Sequence, residues 1–384
     1  LGSTSFKYRL FRMDQDGAEV LAHGGYERVT DHAVVIDDAL ATIQRDGIIQ
    51  SPGDIHAVGF KTVLGKDLSG CVIADQSVID ALDGFTDVAP AHNPPYANGI
   101  RQFAKALPTA KLVALFETAF YQWMSPASAH YAIPKSWRNI GIRRYGFHGA
   151  SHKFVAERSA ELLGRDDIAE MTRRLYLDGP QASDAPPLRV VSCHLGGSSS
   201  VTGILNGVAI GSSMGFSPQS GLPQNNRVGD LDSGAIPYAM KKLGISVDEA
   251  ARQLTKESGL LGLSGVSNDL RDIDEAAANG NPDARLALDA LTHSIRHWIG
   301  AFMIELGGID ALVFTAGIGE NNAETRTAVC CGLENFGLHL DPEKNAATRA
   351  TEAAISASDS PAKIFVIPAN EELVLAREVF RKIS

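Results

Sequence analysis

The chain has 384 residues, 44% apolar and 21% charged, with a formal net charge of -10 at pH 7. That length and apolar share suffice to bury two cores, so two domains are expected. The acidic balance excludes a nucleic-acid reader, which needs a basic face to displace counterions. No run of about 18 apolar residues is available to span a membrane, and the first residues lack a secretory-signal pattern. Cys71, Cys193, Cys330 and Cys331 show no metal-ligand spacing, and the adjacency of the last two disfavours a disulfide framework, so a reducing cytoplasm is the expected setting.

In chain order, the sequence opens at Leu1 with LGSTSFKYRLF, a turn of small residues followed by strand-like alternation, and this start leads to the expectation of residues upstream. Apolar residues at three-to-four spacing predict helices over 37–46, 99–107 and 151–163. Strands are predicted over 57–63 and 112–116. The segment 177–188, LDGPQASDAPPL, reads as a surface excursion without chemistry. A strand over 189–194 then enters LGGSSSV and is followed by another over 208–210. LGSTSF and LGGSSSV are alike as strand-turn-strand units, which points to a weak internal duplication. Helices over 233–242, 246–258, 282–306 and 323–335 and strands over 310–315 and 363–367 complete an alternating α/β pattern with central sheets.

Neither Gly/Ser turn is a Walker loop, because a strand pattern follows each one in place of Gly-Lys-Ser/Thr and a helix. Consecutive small residues still let backbone N–H groups and hydroxyls converge on an anion, although such a turn, taken alone, is more often only a turn. A third stretch is FTAGIGENN, Phe314 to Asn322, after the apolar run IDALV. Glycines at the end of a buried strand allow backbone to approach a ligand where a side chain would collide.

The motifs GIRRYGFHGASHK, SMGFSP, RVGDLD, SGLLGLSGVSNDLRDI, FTAGIGENNAETR and VIPANEEL, in this order and spacing, resemble the acetate kinase family over essentially the whole chain. The resemblance implies an α/β fold of two duplicated domains of the actin, hexokinase and heat-shock ATPase type, with ATP or ADP in the interdomain cleft. It also implies Mg²⁺ (or Mn²⁺), a short-chain carboxylate as second substrate, and a homodimer. The acceptor side would comprise residues 1–121 plus 372–384, and the nucleotide side 122–371. Arg227 and His148 match the family's transition-state stabilisers, with Glu117 as the acid beside them, and Glu371 matches a metal-associated acid. Nucleotide contacts fall on Lys7, on His194, Leu195, Gly196, Gly197 and Ser198, on Asp269, Leu270 and Arg271, and on Gly317, Ile318, Gly319, Glu320 and Asn321. The acceptor would meet Lys61, Val63, Ala91, Phe147 and Pro218.

The chain departs from the family pattern around the acceptor. LFETAFYQ places Glu117 at an aspartate and Tyr121 at a histidine, and GFKTVLGK places Lys61 at an arginine and Leu64 at a histidine. A bidentate fork thus becomes a point charge. Ala91 replaces a common leucine, GGSSS replaces G-N-G-A-S, and GSSMGFSPQSGLPQNNR differs on the phosphate side as well. The asparagine that precedes the first Gly/Ser turn in the family, and contributes to its metal site, falls before Leu1.

Plainer roles stand beside these. Taken without the resemblance, His148 reads as a satisfied core or turn histidine, and Arg227 as a surface partner of Asp230 or Asp232. Asp272, Asp274 and Glu275 read as a solvated helix face, and 291–306 as core or dimer interface. His152, one helical turn after His148, either supports the site or packs. For function, a kinase of propionate or butyrate, a decayed nucleotide-binding regulator, and a hydroxyl-directed kinase with Glu117 as base remain open beside acetate phosphorylation.

Overall fold

The computed structural model describes residues 5–14, 17–65, 68–86 and 93–384. Strands β1 (Ser5–Met13) and β2 (Ala18–Glu27) form an antiparallel hairpin. Three more, β3 (Ala57–Thr62), β4 (Cys71–Ile73) and β5 (Lys111–Phe116), form a sheet of order β3-β5-β4 in which β3 and β5 are parallel. The second half holds β6 (Arg189–His194), β7 (Ser200–Leu205), β8 (Val208–Ser212), β9 (Ala311–Thr315), β10 (Ala353–Ala354) and β11 (Lys363–Val366). They build one six-stranded sheet of order β10-β11-β9-β6-β7-β8, with β11, β9 and β6 parallel. The mixed α/β class is therefore as predicted. Residues 1–4, which hold most of the LGSTSF turn, lie outside the described residues.

Both faces of the large sheet are covered, which explains its continuous apolar strands. Successive residues alternate faces, so Val191, Cys193, Leu312 and Phe314 join one core and Val190, Ala311 and Val313 another. The first core is completed by Pro282–Leu306, a helix that begins and ends where the sequence predicts. Asn281 caps it by accepting from the Asp283 and Ala284 amides, Pro282 occupies its first turn, and Gly307 ends it at φ 68°. The first-half core gathers Phe6, Ile36, Phe60, Leu82, Phe103 and Val113, and the final helix, Glu371–Ile383, returns to it through Val374 and Val379.

The boundaries differ in instructive places. The first helix spans His32–Arg45, because Asp31 caps it by accepting from Ala33 N. The predicted helix 323–335 stops at Cys330, ahead of Gly332 at φ 76°. Helices Gln76–Gly84, Asp166–Asp178, Leu270–Ala278 and Glu371–Ile383 were not predicted. The AGIGEN segment, whose glycines were expected to bring backbone close to a ligand, is a helical turn, Ala316–Asn321. Among the described residues no helix is long and apolar enough to cross a membrane.

Candidate active site

The site lies at the carboxyl ends of parallel strands, where open α/β sheets leave space for ligands. In the large sheet His194 pairs with Thr315, so β6 and β9 end side by side. Their following turns are bolted together, since the Ile318 and Gly319 amides donate to the Leu195 carbonyl at 2.8 and 3.0 Å. Ser199 Oγ closes the Gly/Ser turn, accepting from Gly196 N at 3.1 Å and donating to Gly196 O at 2.9 Å. The two glycines of AGIGEN are not equivalent. A Cβ on Gly319 would meet Phe314 at 3.4 Å, whereas one on Gly317 meets nothing within 4 Å. Gly317 therefore borders open space, whereas Gly319 faces the strand end, where a Cβ would be in ordinary van der Waals contact.

Arg227 approaches from the long loop between β8 and the helix Ala235–Leu243. Its Nη1 lies 3.4 Å from each of three neutral acceptors, Ser198 Oγ, Gln224 Oε1 and the Pro218 carbonyl. Asp230 and Asp232 accept instead from the backbone amides of Gly221 and Gly234, and no carboxylate pairs with Arg227 among the described residues. Burial draws its pKa down. A half-buried guanidinium surrounded by neutral groups is prepared for an external anion.

His148 sits at φ 61°, ψ 31°, immediately before the helix Gly149–Leu162. A left-handed backbone at a non-glycine residue is costly and is commonly retained where position matters. Gly149 makes the approach possible: its amide donates to the Glu117 carbonyl at 2.9 Å, and a Cβ there would lie 2.3 Å from that oxygen. His148 stacks on His194 at 4.0 Å between ring centroids. Burial, reinforced by His194 and His152, holds the His148 pKa well below the usual imidazole range, and burial pushes His194 down to about 4. Both are neutral at neutral pH.

The first half contributes charge. Lys61 Nζ, from β3, lies 3.0 Å from Glu117 Oε1 beyond β5 and 2.5 Å from Glu371 Oε2 at the start of the last helix. Burial pushes Glu117 upward more strongly than Lys61 draws it down, and the Glu371 charge adds to the rise. At Glu371 burial opposes ionisation, but the Lys61 ammonium prevails and holds the acid low. Burial alone would lower Lys61, yet the two carboxylates together raise it and keep it protonated. Apart from the Lys61 ion pair, both Glu117 oxygens are buried without a hydrogen-bond partner. Such oxygens suit Mg²⁺, which takes one or two carboxylates with phosphate and water oxygens. These two carboxylates are the ligand type that metal accepts, but Lys61 pairs with both, and among the described residues no cluster of three or more ligating side chains forms.

The other expected residues fall at different depths. Val63 and Phe147 meet in an apolar cluster with Leu64, Phe85, Tyr145, Met214 and Phe216, while Pro218 presents its carbonyl to Arg227 and Gln224. Ala91 lies outside the described residues. Asp269 caps the helix that Leu270 begins and pairs with the exposed Arg271, while Leu270 is buried in the core. Glu320 accepts from Ala369 N, and Asn321 donates to Gly317 O. Lys7 pairs with Glu27 on the outer hairpin and shares a cavity wall with Lys61 and Glu371. Tyr121, in place of the family's histidine, is committed structurally: its hydroxyl donates to Phe147 O at 2.7 Å and lies 2.9 Å from Thr202 Oγ1. Sequence reading missed Ser192, Ser200 and Gln224. The polar run QNNR was the available signal for Gln224, whereas the serines are inconspicuous on their strands.

An uncompensated guanidinium, a neutral imidazole and small-residue turns at the ends of parallel strands define a phosphoryl-transfer cleft. The chain belongs to the acetokinase family, which it matches over residues 10–377. It is similar to the acetate kinase of Geobacillus kaustophilus, with 40% identity over 404 aligned positions covering 99% of this chain and 97% of the relative. Among solved structures, Porphyromonas gingivalis acetate kinase superposes with a TM-score of 0.89 at 33% identity, covering 100% of this chain and 98% of that one. A propionate kinase from Francisella tularensis gives 0.86 at 31% identity, covering 99% and 97%.

Proposed function

We propose that this chain transfers the γ-phosphoryl group of ATP directly and reversibly to acetate, forming acetyl phosphate and ADP. Full-length membership of the acetokinase family carries the reading, and the cleft chemistry agrees with it. A carboxylic acid with pKa of about 4 to 5 is ionised at neutral pH, so the nucleophile needs no general base. The acceptor oxygen attacks the γ-phosphorus in line, and ADP leaves. Arg227 takes charge developing on the equatorial oxygens, and neutral His148 donates a hydrogen bond to them. Lys61 is already held by two acids, so Arg227 is the cation most available to the transferring group. Val63 and Phe147 cover the acyl side, and Gly317 leaves room for the nucleotide. Glu371, with Glu117 behind it, would hold Mg²⁺, which neutralises phosphate charge when bound.

The same proposal divides the chain into an acceptor domain of residues 1–121 plus 372–384 and a nucleotide domain of 122–371. It includes a cytoplasmic setting and a homodimer, for which the exposed Tyr238, Leu243 and Val247 offer an apolar face. The test is hydroxylamine trapping: ATP, Mg²⁺ and acetate should give acetyl hydroxamate at a rate set by enzyme. ATP binding without any hydroxamate would overturn the reading. Propionate and butyrate belong in the same assay, because Ala91 at a position commonly leucine favours longer acids by roughly 0.8 kcal/mol per buried methylene.

A further inference from the structure

The unassigned feature nearest the cleft is a line of serines and histidines running inward from His148. His148 Nδ1 lies 2.8 Å from Ser200 Oγ, and the same oxygen lies 2.9 Å from His152 Nε2. His152 Nδ1 in turn lies 2.8 Å from Ser192 Oγ. Ser192, Ser200 and His152 are fully buried. This order of contacts bridges the helix Gly149–Leu162, β7 and β6.

A hydroxyl has one proton and two lone pairs, and among the described residues the Ser200 proton has no acceptor besides the two imidazoles, so Ser200 donates to one and accepts from the other. Only two polarities satisfy the line. In the first, Ser192 O–H donates to His152 Nδ1, His152 Nε2–H donates to Ser200 Oγ, and Ser200 O–H donates to His148 Nδ1. His148 then carries its proton on Nε2. In the second every bond reverses, leaving Nε2 bare and the Ser192 proton without an acceptor among the described residues. A buried donor with no partner is the costlier arrangement, so the first polarity prevails. An anion at Nε2 favours the same choice, because only an N–H can donate to it.

We infer that Ser192, His152 and Ser200 form a hydrogen-bond relay that fixes His148 as its Nε2–H tautomer, so that the imidazole presents a donor to the transferring phosphoryl group. The three are positioning residues, and no proton leaves the relay. The inference rests on the reading of His148 as a hydrogen-bond donor to the phosphoryl group but makes a separate physical claim. It also decides the role of His152, which the sequence left between support and packing. Burial keeps both histidines neutral, as a tautomer-based donor requires.

The test begins with the wild-type enzyme uniformly labelled with ¹⁵N-histidine. Two-bond nitrogen–proton correlations, assigned by comparison with His148→Gln, should show both His148 and His152 protonated on Nε2. Protonation of His148 on Nδ1 overturns the relay whatever the kinetics. Ser200→Ala should lose the fixed tautomer and lower kcat about tenfold, with both KM values within about twofold, as for loss of an orienting partner. His152→Gln keeps an N–H near the Nε2 position and should retain kcat within about threefold, whereas His152→Leu should fall like Ser200→Ala. Wild-type kcat in Ser200→Ala overturns the proposal. Should the truncated variants fail to fold, the wild-type spectrum still decides. Full activity in His148→Ala would instead remove the donor reading while leaving the tautomer result standing.

Discussion

The two halves of the molecule meet the cleft with different chemistry. In the second half six strands form one ladder, and the groups near its ends are imidazoles, serine hydroxyls, Gln224, exposed amide turns and one cation, Arg227, held only by neutral acceptors. In the first half the hairpin, β3 and the final helix line a cavity of about 1070 Å³, and the cleft residues Lys61 and Glu117 meet Glu371, where the final helix starts at the proposed domain boundary; all three are ionisable. A triphosphate is strongly anionic, so it is best received where Arg227 meets only neutral acceptors. The half with two acids suits a metal ion and a small acceptor, provided a cation balances the acids. Arg227 thus stands without a counterion among the described residues, while Lys61 is bound by its counterions.

Removing each cation tests that contrast most sharply. Arg227→Ala should lower kcat by roughly 10³-fold or more, with ATP affinity by calorimetry changing only a fewfold. Retained turnover would show that the uncompensated guanidinium is not spent on the transition state. His148→Ala, which deletes a neutral donor, should cost about 10²-fold in kcat; damage equal to that of Arg227→Ala would erase the ranking of charge above neutral donation.

Lys61→Met should act on stability as well as activity. It leaves Glu117 and Glu371 facing each other without their cation, at a cost of about 2 kcal/mol, discounted because the lysine side chain is 38% exposed. The pH dependence has a definite sign. In the wild type the lowered Glu371 pKa contributes stability above the unfolded value of 4.5 that is lost as pH falls toward its folded value. Without Lys61 both acids rise, the native state binds more protons than the unfolded chain, and stability falls as pH increases from about 4.5. Thermal melts from pH 4 to 8 should therefore diverge progressively between wild type and variant. Parallel curves would mean that Lys61 does not balance these acids.

Gly317→Ala is the mildest change. The added methyl meets nothing in the protein, and alanine's helix preference of about 1 kcal/mol favours a slightly higher Tm. The KM for ATP should nonetheless rise severalfold if the nucleotide passes over this backbone. Unchanged KM would move the ligand away from the second-half turn.

The amino-acid sequence by itself determined the α/β class, the strand Arg189–His194 and the full extent of Pro282–Leu306. Each is written in local terms: strands buried on both faces are apolar throughout, and a proline-initiated, asparagine-capped, glycine-terminated helix carries its own boundaries. Long motifs also marked Arg227, His148 and the two glycine turns. Local pattern did not disclose the amphipathic helices Gln76–Gly84, Asp166–Asp178 and Glu371–Ile383, of which the last packs against strands from the opposite end of the chain. Nor did it distinguish Gly317 from Gly319, because the difference is whether Phe314 or open space lies above the Cα. Only the tertiary structure placed Lys61, Glu117 and Glu371 in contact and aligned His148, Ser200, His152 and Ser192. Charge balance and tautomer choice depend on separations of about 3 Å between groups far apart in sequence, and those separations are set by how the strands and helices pack.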